Sequence, residues 1–223
     1  MGLISELQKP WKAYQRWIST WYHLRRIAPL SGAKPRDYAQ YLQTQLDRTL
    51  GKLQQDIVFH GDPLIETMLR FQPARQSVLC IGCRTPHELH RLREVGFQEV
   101  VGIDLFSQSP LVRVMDMHKM SFADHSFDVV FASHSLEHAL VPEQVADEIS
   151  RVVKGHGLVA IEVPVSFATT EADLHDFGDE QGVLQLFGKH VAEVKWAERQ
   201  PPHSERNGHG TAIVRTVFQA PAA

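Results

Sequence analysis

The stretch Ser77 to Asp104, SVLCIGCRTPHELHRLREVGFQEVVGID, limits what this chain can fold into more than any other part of it. An apolar run, Ser77-Val78-Leu79-Cys80-Ile81, meets Gly82, and the pattern then predicts a helix from Pro86 to Val95. A second apolar run, Glu99-Val100-Val101-Gly102-Ile103, ends on Asp104. Strand, tight turn, helix, strand and acid in this order make one half of a parallel α/β sheet. Pro86 suits this pattern, because the first turn of a helix has no use for the donor that proline lacks.

The same order carries a chemical implication. A glycine at the exit of a parallel strand lets the backbone turn sharply and approach a ligand, and the following helix offers free amides. An acid closing the second strand can accept hydrogen bonds from ribose hydroxyls. Asp104 lies 22 residues beyond Gly82, close to the roughly 20 expected for such an acid.

With 223 residues, 43% of them hydrophobic and 22% charged, the chain has material for one soluble α/β domain and an extension. No apolar stretch has the roughly 18 residues needed to span a bilayer, and the N-terminus lacks the apolar segment of a signal peptide, so a cytoplasmic location is expected. Cys80 and Cys83 form a C-x-x-C pair. Cys80 sits inside the strand run and no second pair completes a zinc cluster, which favours a structural role over redox or metal chemistry.

The net charge of −3 gives no reason to expect a nucleic-acid partner. Its distribution is uneven, however. Residues 1–36 hold seven basic side chains against Glu6 alone, a balance of +6 that leaves −9 on the rest. Within this segment, residues 3–29 read as a helix that interleaves Trp11, Tyr14, Trp17, Trp21 and Tyr22 with Lys12, Arg16, Arg25 and Arg26. Such a helix can rest on a membrane or an acidic partner. Helical aromatic stripes are more often packing surfaces, so the favoured reading sets it against its own domain or a second copy in a homodimer.

Pro35 marks a break. A helix is expected from Asp37, with Tyr38, Tyr41, Leu42, Leu46, Leu50 and Leu53 on one face, and another from Pro63 to Phe71. Residues 1–72 are therefore assigned to an N-terminal helical extension and 73–223 to the α/β domain. Later strands are predicted at Val112–Met115, Phe127–Ala132, Gly157–Val163, Val191–Ala197 and Thr211–Phe218, with a helix at Val141–Val153. Only Leu105 to Val112 separates the second strand from the third, too short for a crossover helix, so a loop is expected there.

Val78 to Pro86, VLCIGCRTP, resembles the first motif of class I S-adenosylmethionine-dependent methyltransferases, which often reads VLDIGCGTG. Gly82 and Cys83 keep their places, whereas Cys80, Arg84 and Pro86 replace an Asp and two Gly. Asp116-Met117, the run from Ser121 to Val130, Ser133 to His138 and Arg151 to Gly157 resemble the family's later motifs in order. The likeness covers about Ser77 to Pro164. It implies a Rossmann-like, mostly parallel seven-stranded sheet with helices on both faces, and S-adenosylmethionine as cofactor. Gly82, Cys83 and Arg84 would hold its methionine part, Asp104 and Leu105 its ribose, and Asp116 and Met117 its adenine, with Ser133 near the sulfonium. The helices ahead of the first strand would cover the cofactor or shape the acceptor pocket.

Arg84 either pairs with the cofactor's carboxylate or fills its place. Because the methyl donor is already activated, the protein chiefly needs to align the acceptor and, for a hydroxyl or amine, to supply a base. His138, followed by His134, is the expected base. The chain has 13 histidines, which weakens inference from any pair. His134 and His138 stand four residues apart and could bind metal, with His175, Asp176, His203 or His209 contributing, but nothing in the sequence brings these together and no metal ligand is assigned. Ser166 to His190, rich in acids, is the expected lid over the acceptor, with a solvated loop as the other reading. The sequence thus points to methylation, at oxygen, of a small-molecule or sugar-like acceptor. A binding or scaffold protein that has lost turnover is the alternative raised by Arg84, Pro86 and the short Leu105 to Val112 connection.

Overall fold

A computed structural model describes residues 14, 18, 21, 35–52, 62–107 and 109–223. It divides into two compact units, Met1–Ile57 and Val58–Ala223. In the first, Tyr14, Ile18 and Trp21 are helical and exposed, and the remainder of the expected helix at 3–29 lies outside the described residues. Helix α1, Pro35–Lys52, buries Tyr38, Tyr41, Leu42, Leu46 and Leu50 along one face, the three- and four-residue spacing read from the sequence.

The second unit carries α2 (Asp62–Leu69), β1 (Ser77–Ile81), α3 (His87–Glu94), β2 (Glu99–Asp104), β3 (Val112–Val114), β4 (Phe127–Ser133), α4 (Pro142–Val152), β5 (Val153–Val165), α5 (Glu180–Phe187), β6 (Glu193–Gln200) and β7 (Ala212–Gln219). The strands form a sheet in the order β3-β2-β1-β4-β5-β7-β6. The first five run parallel, while β7 is antiparallel to both β5 and β6. β1 is buried at every position, which is why it reads as an unbroken apolar run: parallel strands are covered on both faces.

Two apolar layers provide that cover. On one face Ile81, Ala132, Ile161 and Val163 pack with Val145, Ile149 and Val152 of α4 and Val183 and Phe187 of α5. On the other, Cys80, Phe131, Ala160 and Val217 pack with Leu64, Ile65 and Met68 of α2 and Leu89 and Leu92 of α3. Helix α2 therefore belongs to the sheet unit.

β5 departs from expectation. It starts at Val153 with no loop after α4 and runs for 13 residues, a register shift between Phe127 and Val129 absorbing its early start. Asp104 and Val112 are joined by a loop as expected, with the Ser109 amide bonded to Ser107 Oγ at 3.1 Å and the Leu111 amide to Ser109 Oγ at 3.3 Å.

Cys83 is buried beneath the β1–α3 turn, its Sγ 3.5 Å from the Cys80 carbonyl. It fits there because β2 offers Gly102: a Cβ at that position would lie 2.5 Å from Cys83 Sγ and 2.8 Å from Leu89. Gly102→Ala should therefore lower stability by about 2 kcal/mol through overpacking, read as a fall in the urea midpoint at unchanged slope; an unaltered midpoint contradicts this packing.

Candidate functional site

The sheet's register sets one row of residues across the ends of the strands. Ile81 stands level with Ile103 and Ala132, so Gly82, Asp104 and Ser133 are the next residues out on β1, β2 and β4. Ser133 is level with Glu162, Glu162 with Arg215, and Arg215 with Glu198. Strand order reverses between β1 and β4, where open α/β sheets form their ligand crevice at the carboxyl ends of the strands.

On the β1 side, Gly82 has φ +76° and donates its amide to the Ile103 carbonyl at 2.9 Å. A side chain here would be strained by the backbone and would meet Ser135 Cβ at 2.5 Å. Ser135 Oγ is buried without a hydrogen-bond partner, as is Glu88 Oε2 on the first turn of α3. Asp104 Oδ1 accepts from the Phe106 amide at 3.1 Å. Burial pushes its carboxyl up to about 6, against the opposing pull of that amide, Arg84 and His138. Glu88 is likewise raised by burial, to about 7, with Asp104 adding to the rise and Arg84 opposing it. Arg84 thus acts electrostatically on both acids of the crevice.

The remaining predicted residues are placed as follows. Cys83 turns its side chain into the core, leaving its backbone toward the turn, and Leu105 is half-buried beside Asp104. Asp116 is buried and its Oδ1 binds His118 Nδ1 at 2.6 Å. The other ring nitrogen, His118 Nε2, accepts from the amides of Leu140 and Val141 at 3.0 and 3.2 Å, which fixes the proton on Nδ1. Met117 packs against the core beside α4. The sequence reading assigned no part to His118, although its i+2 spacing from an acid was visible.

On the β5 side lies a buried network the sequence did not disclose. Glu162 is fully buried and paired with the Arg215 guanidinium, which also reaches Glu198 at 3.3 Å and the Arg206 carbonyl at 2.6 Å. Ser133 Oγ donates to Glu162 Oε1 at 3.0 Å. His134 Nε2 stands 3.3 Å from the same oxygen, and its ring packs on His209 at 4.3 Å. Burial works against charge on both partners, yet their mutual attraction prevails: His134 is raised above the usual histidine range, and Glu162, aided by Arg215, is held below the usual carboxylate range. Buried Asn207 secures the loop carrying His209 by donating to the carbonyls of Gln200, Pro201 and Thr211.

His138 occupies a different setting. Its Nδ1 faces the Ala172 carbonyl at 2.9 Å and Asp173 Oδ1 at 3.1 Å, two acceptors that favour a proton on that nitrogen, while the buried Nε2 stands 3.5 Å from Glu137 Oε1 and makes no hydrogen bond. The 166–179 segment is fastened beside it by amides of Leu174 and His175, which donate to the Glu137 carbonyl at 2.8 and 3.1 Å.

Strand order, crevice and the Gly82–Asp104 pair define a class I, Rossmann-like nucleotide-cofactor fold. The methyltransferase domain family matches residues 79–161, the stretch from β1 to β5 that carries the Gly82 turn, Asp104 and Ser133. It is similar in structure to the 1,6-didemethyltoxoflavin-N1-methyltransferase of Burkholderia thailandensis, crystallised with 1,6-didemethyltoxoflavin and S-adenosylhomocysteine, at TM-score 0.69 and 17% identity over 87% of this chain and 93% of that one. The N-methyltransferase NodS of Bradyrhizobium japonicum, with S-adenosylhomocysteine, gives 0.62 at 15% over 78% and 97%, and the [4+2]-cyclase SpnF gives 0.59 at 14% over 88% and 98%. At these identities the likeness establishes the fold. No curated protein sequence matches the chain. Among the described residues, no helix is long and apolar enough to cross a membrane.

Glu88 provides a test of the crevice's electrostatics. An acid whose folded-state pKa is raised binds its proton more tightly when folded, so stability declines as pH climbs from about 4.5 through about 7. Glu88→Gln should flatten that decline in urea midpoints measured between pH 5 and pH 8; a slope equal to wild type would contradict the raised value.

Proposed function

We propose that the chain transfers a methyl group from S-adenosylmethionine to a hydroxyl of a small-molecule acceptor, with His138 as base. The observation that supports this is the setting of His138: a carbonyl and a carboxylate face its Nδ1, while Nε2, the nitrogen that would take the proton, has no hydrogen-bond partner. It also acts electrostatically on Asp104, in the cofactor half of the crevice.

The unpartnered polar atoms Ser135 Oγ and Glu88 Oε2 beside the Gly82 turn fit a polar ligand. Asp104 would accept from its ribose hydroxyls, the Gly82 to Arg84 backbone would line its methionine part, and Arg84 would pair with its carboxylate. Asp116 and Met117 would border its adenine. Bound there, the cofactor supplies a sulfonium-activated methyl group. The protein's own part is to hold the acceptor in line, accept its proton at His138 Nε2 and exclude water, with the 166–179 segment covering the acceptor. Two of the similar proteins are named as N-methyltransferases, so a nitrogen acceptor is the comparison for the hydroxyl one.

Calorimetric titration with S-adenosylhomocysteine tests the cofactor half. Binding should weaken as pH falls through about 6, because a protonated Asp104 no longer accepts from both hydroxyls. Arg84→Ala should cost roughly tenfold or more in affinity. Absence of binding at millimolar ligand would overturn the reading in favour of a scaffold.

His138→Ala should reduce kcat on a hydroxyl acceptor by roughly 100-fold or more while leaving S-adenosylhomocysteine affinity intact at pH 8, where Asp104 is ionised with or without the imidazole. Full turnover by this variant would remove the base assignment.

A further inference from the structure

We propose that His134, Glu162 and His209 form a binding site for a divalent transition-metal ion. One donor atom from each lies within 4.8 Å of the other two. The three come from separate parts of the chain: the residue just after β4, the middle of β5 and the loop joining β6 to β7. Two imidazoles and one carboxylate, with further positions open, suit zinc, iron or cobalt, whereas magnesium and calcium prefer all-oxygen sets. Bonds of about 2.0 to 2.2 Å would draw these donors slightly together.

The surroundings have the features that support a metal ligand set. Metal-bound imidazoles commonly direct their second nitrogen at a carboxylate, and ligating carboxylates are themselves hydrogen-bonded. His134 presents Nε2 to Glu162 Oε1 and has Nδ1 3.9 Å from Glu137 Oε1. Arg215 engages Glu162 through Oε2, so Oε1 is the oxygen on the imidazole side, where Ser133 Oγ also lies.

The placement of both rings is fixed by backbone features. His134 has φ 51°, a conformation uncommon for a residue with a side chain, and its amide is held by the Glu162 carbonyl at 2.9 Å. Asn207 accepts the His209 amide through Oδ1 at 2.9 Å while its Nδ2 ties down the loop. Charge agrees with this assignment. Glu137, Glu162 and Glu198 bring three negative charges, and Arg206 and Arg215 bring two positive ones, so with neutral imidazoles the cluster keeps a negative charge for an ion.

The test uses the full chain, stripped by a chelator and titrated with Zn2+ and then Co2+ in the absence of any methyl donor, so that its outcome does not depend on methyl transfer. The expected result is a single ion per chain, with Co2+ producing visible absorption bands. His209→Ala and His134→Ala should each weaken Zn2+ by roughly 100-fold, and Glu137→Gln by roughly tenfold. His90→Ala, on the exposed side of α3, should change nothing and controls for the other histidines. Glu162→Gln removes one of the two carboxylates that face buried Arg215 and threatens folding, so the two histidine variants, with their folding checked by circular dichroism, are the deciding ones. No Zn2+ binding, or binding that survives both histidine changes at unaltered affinity, would overturn the site.

Discussion

A carboxylate with no access to water, Glu162, is the constraint around which the β5 side of the sheet's carboxyl end is arranged. An ionised buried acid is tolerable only when cations and donors surround it. Arg215 supplies the charge from the adjacent antiparallel strand, Ser133 a hydroxyl, and His134 an imidazole from the residue that follows β4. Arg215 in turn needs Glu198, and Glu198 holds Arg206, whose guanidinium reaches Thr67 on α2 at 2.9 Å. One buried charge thereby links β4, β5, β6, β7 and α2. The reversed strand β7 is what makes this possible, since it sets Arg215 level with Glu162.

The Gly82 side of the crevice is balanced differently. Around Gly82, Glu88 and Asp104 the acids are under-compensated: burial raises both carboxyls, and Arg84 is the cation that opposes the rise at each. A crevice that leaves polar atoms unpartnered is poorly suited to being a solid core and well suited to a polar ligand. Arg84 therefore reads as part of the charge set of this crevice.

Sequence reasoning reached the fold because the central strands are written in the simplest pattern available: SVLCI and VVGI are apolar throughout, bounded by Gly82 and Asp104. It also read the β2–β3 loop correctly, from length alone. It missed the direct start of β5 at Val153, since Val152-Val153 satisfies helix and strand equally well. The Glu162 network was invisible for a physical reason. A glutamate flanked by Ile161 and Val163 and an arginine between Val214 and Thr216 look like ordinary solvent-facing positions of edge strands, and only the register shows that they face each other inside the protein. His209 was one histidine among 13, and Asn207, which delivers it, has no local signature beyond a turn.

The 166–179 segment and the imidazole of His138 share their fastenings. The amides of Leu174 and His175 hang on the Glu137 carbonyl, and the neighbouring imidazole is steered by Ala172 and Asp173 of the same segment. Detaching the segment would remove both acceptors from Nδ1 of the ring. On the proposed reading, the proton on Nδ1 of His138 is therefore set by a segment far along the chain, and the base is complete only while that segment is seated.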